Sequence, residues 1–202
     1  MNTRSITENF ARKYATGTVL DIGGGYGRYA SLFSFLGLKY TVSDIDPRAD
    51  FVENSHALQH DTDSFSTVIS NQVLEHIPEP EQTVAEAFRV LKRKGYCLMT
   101  VPFMIGEHND PSDYRRYTRQ GLHALLEKKG FEVVECKSYG GIFSVFSEMI
   151  KFAFRNPYKE KRNPILRKLA YWSIIFLEKL DGESISESNI FYANTYIIAR
   201  KP

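Results

Sequence analysis

The stretch Thr18-Val-Leu-Asp-Ile-Gly-Gly-Gly-Tyr-Gly27 decides how this chain folds. Val19, Leu20 and Ile22 form a short apolar run suited to a strand buried on both faces. The glycines that follow let the backbone turn sharply and let a ligand approach the main chain with no Cβ in the way. Residues 28–36 then read as a helix, with Gly37 as its left-handed stop. Outward from this unit the pattern keeps alternating, which is the mark of an α/β fold with a mostly parallel sheet. Strands are expected at 40–43, 67–70, 96–101, 131–136 and 192–199, with a short one at 51–52. Pro80 suits the first turn of a helix burying Val84, Ala87, Phe88 and Leu91, and Thr118 is the expected N-cap of one burying Leu122, Leu125 and Leu126. Arg200-Lys201-Pro202 reads as a polar tail.

The length of 202 residues fits one domain, taken as 1–202, and the hydrophobic share of 43% excludes a disordered chain. A net charge of +2 is too small to imply nucleic acid. The charge is nonetheless segregated. Residues 151–168 hold seven basic side chains (Lys151, Arg155, Lys159, Lys161, Arg162, Arg167, Lys168) against one acid, Glu160, a window of +6 that leaves −4 for the remainder. Cys97 and Cys136 lie in alternating apolar stretches and form no CxxC pair, as expected of reduced thiols in a cytoplasmic protein. No secretory apolar region is expected at the N-terminus, and the longest apolar run, 169–177, is far shorter than the roughly twenty residues of a membrane span.

The glycine loop alone leaves two ligands open. Gly25, Gly27 and Ala30 fit the dinucleotide pattern G-x-G-x-x-G/A, so a nicotinamide oxidoreductase is one reading. Asp21 tilts the choice, because a carboxylate beside the loop repels a pyrophosphate and suits a phosphate-free cation such as S-adenosylmethionine. Asp44, at the end of the second strand, can accept both ribose hydroxyl hydrogens of either ligand. Asp46, before Pro47, reads as a turn acid.

Four pieces in order resemble the class I S-adenosylmethionine-dependent methyltransferases: Val19-Leu-Asp-Ile-Gly-Gly-Gly-Tyr-Gly27, Ser43-Asp-Ile-Asp-Pro47, the stretch from Asp63 through Val73-Leu-Glu-His76, and Phe88-Arg-Val-Leu-Lys-Arg-Lys-Gly95. The resemblance implies a Rossmann-like sheet of seven strands, the last antiparallel, with helices on both faces and the donor across the carboxyl ends of the strands. It implies that Asp21, Gly23, Gly25 and Gly27 hold the methionine part, Asp44 the ribose and Ile45 the adenine ring. Asn54 and Ser55 stand where relatives meet the adenine amine, and Ser70 and Asn71 would floor the sulfonium. Some metal-dependent relatives carry Glu-x-x-Glu-His at the fourth strand. Here Gln72 replaces the first carboxylate, so no metal is expected, and Glu75 and His76 are read as shaping the pocket or touching the acceptor.

The loop Glu107-His-Asn-Asp-Pro-Ser-Asp-Tyr-Arg-Arg-Tyr-Thr118 resembles a segment of a methyltransferase subgroup with small-molecule, glycan or uncharacterised acceptors. Following the fifth strand, it is where acceptor groups should converge. His108 is the candidate base, with His76 second, since an imidazole can take a hydroxyl proton at neutral pH. Asp113, Tyr114, Arg116 and Tyr117 are acceptor-side candidates, although the preferred reading of Arg116 is that it holds its own loop through Asp110 or Asp113. A donor-binding regulatory protein without catalysis is the third reading. The remaining segment, about 141–181, is expected as a helical insertion before the last strand. It reads as core packing, an acceptor lid, a homodimer face, or a basic membrane-surface platform through 151–180.

Overall fold

A computed structural model describes residues 2–109, 111–155, 164–181, 185–187 and 190–202, without the side chains of Arg155 and Pro164. The opening apolar run forms β1 (Thr18–Ile22), central in the sheet. It lies parallel between β2 (Lys39–Asp44) and β4 (Phe65–Asn71). β3 (Phe51–Val52) extends β2 at one edge, and β5 (Leu91–Pro102) runs parallel to β4. β8 (Asn194–Arg200) is inserted antiparallel between β5 and β6 (Glu132–Tyr139). The strand order is β3-β2-β1-β4-β5-β8-β6-β7. The expected seven strands become eight, because the two-residue β7 (Ile185–Ser186) pairs antiparallel with the free edge of β6. Two residues are too few to show alternation in a sequence.

Strand order reverses direction at β1 and β4, which opens a crevice at their carboxyl ends. Apolar side chains fill both faces. Leu20, Ile22 and Val68 pack on one side with Val84, Ala87 and Val90 of α3 (Pro80–Val90) and with Leu122 and Leu126 of α4 (Arg119–Glu127). Val19, Ile69 and Leu98 pack on the other, with Phe33 of α2 (Ala30–Phe35) and Phe10 of α1 (Thr3–Tyr14). Helix α2 starts later than residue 28, since 25–29 form turns. Thr118 caps α4, its hydroxyl accepting from Gly121 N–H at 3.1 Å.

Helix α1 is an element absent from the sequence expectation. Asn2 and Ser5 form a reciprocal capping box, and Ile6, Thr7, Phe10 and Ala11 make its buried stripe. The terminal segment also differs from a free polar tail. Lys201 is buried, and its Nζ donates to Asp63 Oδ1 and Phe88 O, both at 2.8 Å.

The insertion forms two helices, α5 (Ile142–Arg155) and α6 (Pro164–Asp181), packed on each other. Asp181 accepts from the backbone N–H groups of Phe143 and Ser144 at the start of α5. Glu178 accepts from Ser147 Oγ at 3.1 Å and Lys151 Nζ at 2.6 Å. Leu166, Leu169, Trp172, Phe176 and Leu180 are exposed, so α6 is not the core helix that one reading of its sequence suggested. Of the basic window, Lys159, Lys161 and Arg162 lie outside the described residues. No described helix is long and apolar enough to cross a membrane. Cys97 and Cys136 are both free thiols.

Candidate functional site

The glycine loop is shaped by its neighbours. Gly23 has φ +74° and donates to Ser43 O at 2.8 Å, and a Cβ there would come within 2.3 Å of Val73 Cγ2. Conformation and space both demand glycine. Gly25, at φ +57°, is the opposite case, because nothing lies within 4 Å of a Cβ built on it. There the backbone borders open cleft. Its N–H donates to Asp44 Oδ2 at 2.7 Å, while Asp44 Oδ1 accepts from Asp46 N–H at 2.9 Å. Asp44 thus braces the loop and keeps lone pairs for a ligand. Asp46 is a turn acid bound by Arg48, whose guanidinium holds its carboxyl down at about 2.

Asp21 is 1% exposed and accepts a hydrogen bond from Tyr40 Oη at 2.5 Å. Burial pushes its carboxyl up to about 7, against the opposing pull of Tyr40. No motif marked Tyr40 as a partner. At the switch point, Asn71 Oδ1 accepts from Thr7 Oγ1 at 3.3 Å and Thr100 Oγ1 at 3.1 Å, so α1 and β5 hold the tip of β4. Gln72 has φ +56° and directs its amide to Thr100 Oγ1 and Tyr139 Oη. Among the described residues, Ser43 Oγ, Ser70 Oγ and Asn71 Nδ2 are buried without hydrogen-bond partners.

These groups open onto a cleft of about 990 Å³. Of the residues expected from sequence, it brings together Asp21, Gly23, Gly25, Asp44, Ile45, Asn54, Ser55, Asn71, His76, His108 and Tyr114. Gly27, Ser70, Glu75, Asp113, Arg116 and Tyr117 do not line it. Ser55 Oγ is 2.9 Å from Thr83 Oγ1, and Ile45 is 60% exposed, an apolar surface ready to be covered. Thr3, Tyr26, Arg28, Arg48, His56 and Val73 line the cleft without having been singled out. Thr3 follows from α1, and the asparagine–serine capping signature at positions 2 and 5 is the signal that could have found it.

On the far side, His76 and His108 meet edge to face with ring centroids 5.1 Å apart. His76 Nδ1 lies 2.5 Å from Ser112 O, and His108 Nδ1 lies 3.1 Å from Gly106 O. A carbonyl only accepts, so Nδ1 is the donating nitrogen in both rings, and a neutral imidazole so placed has its lone pair on Nε2. Asp113 accepts from His108 N–H at 2.8 Å and pairs with Arg116 at 2.5 Å and 2.6 Å. Arg116 also donates to Ile105 O and Gly106 O. The ion pair therefore holds the loop, and it keeps the Asp113 carboxyl down at about 2. Tyr117 packs in the core beside α4. Glu75 is fully buried with neither carboxylate oxygen hydrogen-bonded, and burial raises its carboxyl to about 8. Glu75, His76 and His108 offer ligand atoms within 4.8 Å of one another, a set that does not include Gln72.

Residues 2–136 match the family model described as a methyltransferase domain, and the chain belongs to that family. An uncharacterized methyltransferase of Mycobacterium marinum is 33% identical over 103 residues, 44% of this chain and 40% of that protein. A Mycolicibacterium smegmatis protein described as "Probable S-adenosylmethionine-dependent methyltransferase" is 32% identical over 146 residues, 63% of this chain and 57% of that one. The match thus spans about half or less of these curated relatives. Among solved structures, an S-adenosylmethionine-dependent methyltransferase from Archaeoglobus fulgidus superposes with TM-score 0.63 at 17% identity, covering 99% of this chain and 95% of that one. Phosphoethanolamine N-methyltransferase 2 of Haemonchus contortus, solved with S-adenosylmethionine, gives 0.61 at 16% identity, covering 98% and 52%. The cyclase SpnF gives 0.66 at 18% identity, covering 98% and 81%. At these identities the likeness to solved structures is one of fold, which by itself hosts more than one chemistry.

Proposed function

We propose that the chain transfers a methyl group from S-adenosylmethionine to an oxygen or nitrogen of a small-molecule or glycan acceptor. The carrying observation is the cleft itself: a buried acid at the tip of β1, an open glycine backbone and a second acid at the tip of β2, facing two imidazoles across the crevice. The residues fit that donor. Unpartnered Ser43 Oγ and Asn71 Nδ2 sit on the cleft walls, and the Asp21 carboxylate suits an ammonium and disfavours a pyrophosphate. The family match also favours this reading over a nicotinamide oxidoreductase.

S-adenosylmethionine supplies an electrophilic methyl on a sulfonium leaving group. Asp21 and Gly25 bind the amino-acid end, Asp44 the ribose hydroxyls, and Ile45 and Asn54 the adenine. His108 Nε2 takes the proton of an acceptor hydroxyl, on a loop fixed by Asp113 and Arg116. Holding the nucleophile close and in line contributes on the order of 7–11 kcal/mol. Calorimetry with S-adenosylmethionine, S-adenosylhomocysteine and NADH tests the reading. Binding of the first two alone supports it, and uptake of NADH with neither S-adenosyl compound bound overturns it.

A further inference from the structure

The two helices of the insertion carry an exposed apolar stripe that the cleft does not use. Along α6, Leu166, Leu169, Trp172, Phe176 and Leu180 recur at steps of three and four residues and are 48–62% exposed. Such spacing lines one face of a helix for about four turns. On α5, Phe146 and Met149 add 45% and 58% exposed apolar side chains. A neighbouring side of α6, with buried Ala170 and half-buried Ile174 and Leu177, runs beside Glu178 and Asp181, which bond to α5.

Charge completes the pattern. The only acids of α6, Glu178 and Asp181, are turned to α5, where Glu178 meets Ser147 and Lys151 and Asp181 caps the first turn. The cations are arranged otherwise. Lys168 and Lys179, exposed, stand at i and i+11 on the row that holds Trp172 at i+4, so they flank the stripe. By sequence, Lys159, Lys161 and Arg162 lie in the segment joining the helices.

We infer that the α5–α6 hairpin docks the protein peripherally on an anionic bilayer surface, with the α6 stripe in the interfacial layer and the lysines at headgroup depth. Long basic side chains can reach phosphates while their stems cover apolar surface. Tryptophan is well suited to the interface, being apolar in body with one N–H donor. The surface is coupled to the site, because the Phe152 ring of α5 packs on Gly106, its carbons 3.2 Å from where a Cβ would stand, in the loop that carries His108. Docking would set that loop beside the membrane.

Trp172 is the chain's single tryptophan, so its fluorescence reports on this face alone. The test is titration of the full chain with vesicles of phosphatidylglycerol and phosphatidylcholine in equal parts, and with phosphatidylcholine alone. A blue shift and co-flotation with the mixed vesicles, reversed by high salt, are expected. Leu169→Glu with Phe176→Glu should weaken binding at least about tenfold, and Lys168→Glu with Lys179→Glu should abolish the preference for anionic lipid. Circular dichroism and thermal melting check that the variants fold. Absence of a shift with mixed vesicles overturns the inference. So do equal binding to both vesicles, indifference to the Glu substitutions, and a lipid-independent dimer that buries Trp172.

Discussion

The carboxyl of Asp21 is held up to about 7 by burial, which under the proposed function would make donor binding a proton-linked event. A ligand ammonium needs the ionised form, so binding below that value must displace a proton. Affinity for S-adenosylmethionine should therefore rise with pH between about 5 and 7 and level off above, with proton release visible in calorimetry across buffers of different ionisation heat. Asp21→Asn should weaken donor binding and erase that pH dependence while changing kcat little at saturating donor. A large loss of kcat with unchanged affinity would contradict the assignment. His108→Ala should do the reverse, lowering kcat by ~10²–10⁴-fold at constant donor affinity if the acceptor is a hydroxyl. The residues legible in advance are those set by local motif, such as Asp21, Asp44 and the glycines. Tyr40 was not, because its contact with Asp21 depends on two strands pairing, Asp21 opposite Val42, which no local spacing encodes.

The glycine loop separates two reasons for lacking a side chain, and substitution should tell them apart. Gly23→Ala drives a methyl into Val73 as well as straining φ, and should cost on the order of 2–4 kcal/mol. Gly25→Ala meets open space and strains φ alone, at about 1–2 kcal/mol. Thermal melts should show the larger loss for Gly23→Ala. Gly25→Ala should lose donor binding out of proportion to its stability. Elements with a strong period were readable, including α4 with its threonine cap and the paired helices of the insertion. α1 went unread because Ile6, Thr7, Phe10 and Ala11 include a threonine in the buried stripe, which dilutes the apolar signal. β7 is too short to have one.

Over the whole molecule, two raised carboxyls give the ligand-free protein a defined acid-side optimum. Asp21 rises from 3.8 to about 7 and Glu75 from 4.5 to about 8, each through burial. Between those values the folded state holds protons that the unfolded chain has released. Their contribution to stability is full below about pH 4 and is lost as pH climbs toward 8. Melting temperature should fall across that window, and Glu75→Gln should flatten the fall and melt above the parent at pH 8. A parent curve rising from pH 5 to 8 would refute the burial account. The sheet order carries a consequence in time. β6 reaches β5 only through β8, and Ala193, just before β8, accepts from Phe103 N–H at 2.8 Å and donates to Gly140 O. During synthesis the donor half can assemble as soon as β1 to β5 have left the ribosome. The start of the loop bearing His108 and Asp113 gains one of its anchors, Ala193, only when a strand made some ninety residues later slides between two waiting neighbours. Under the proposed function, nascent chains would acquire the donor crevice early and the acceptor side last, so a half-made chain would hold its reagent before it could use it.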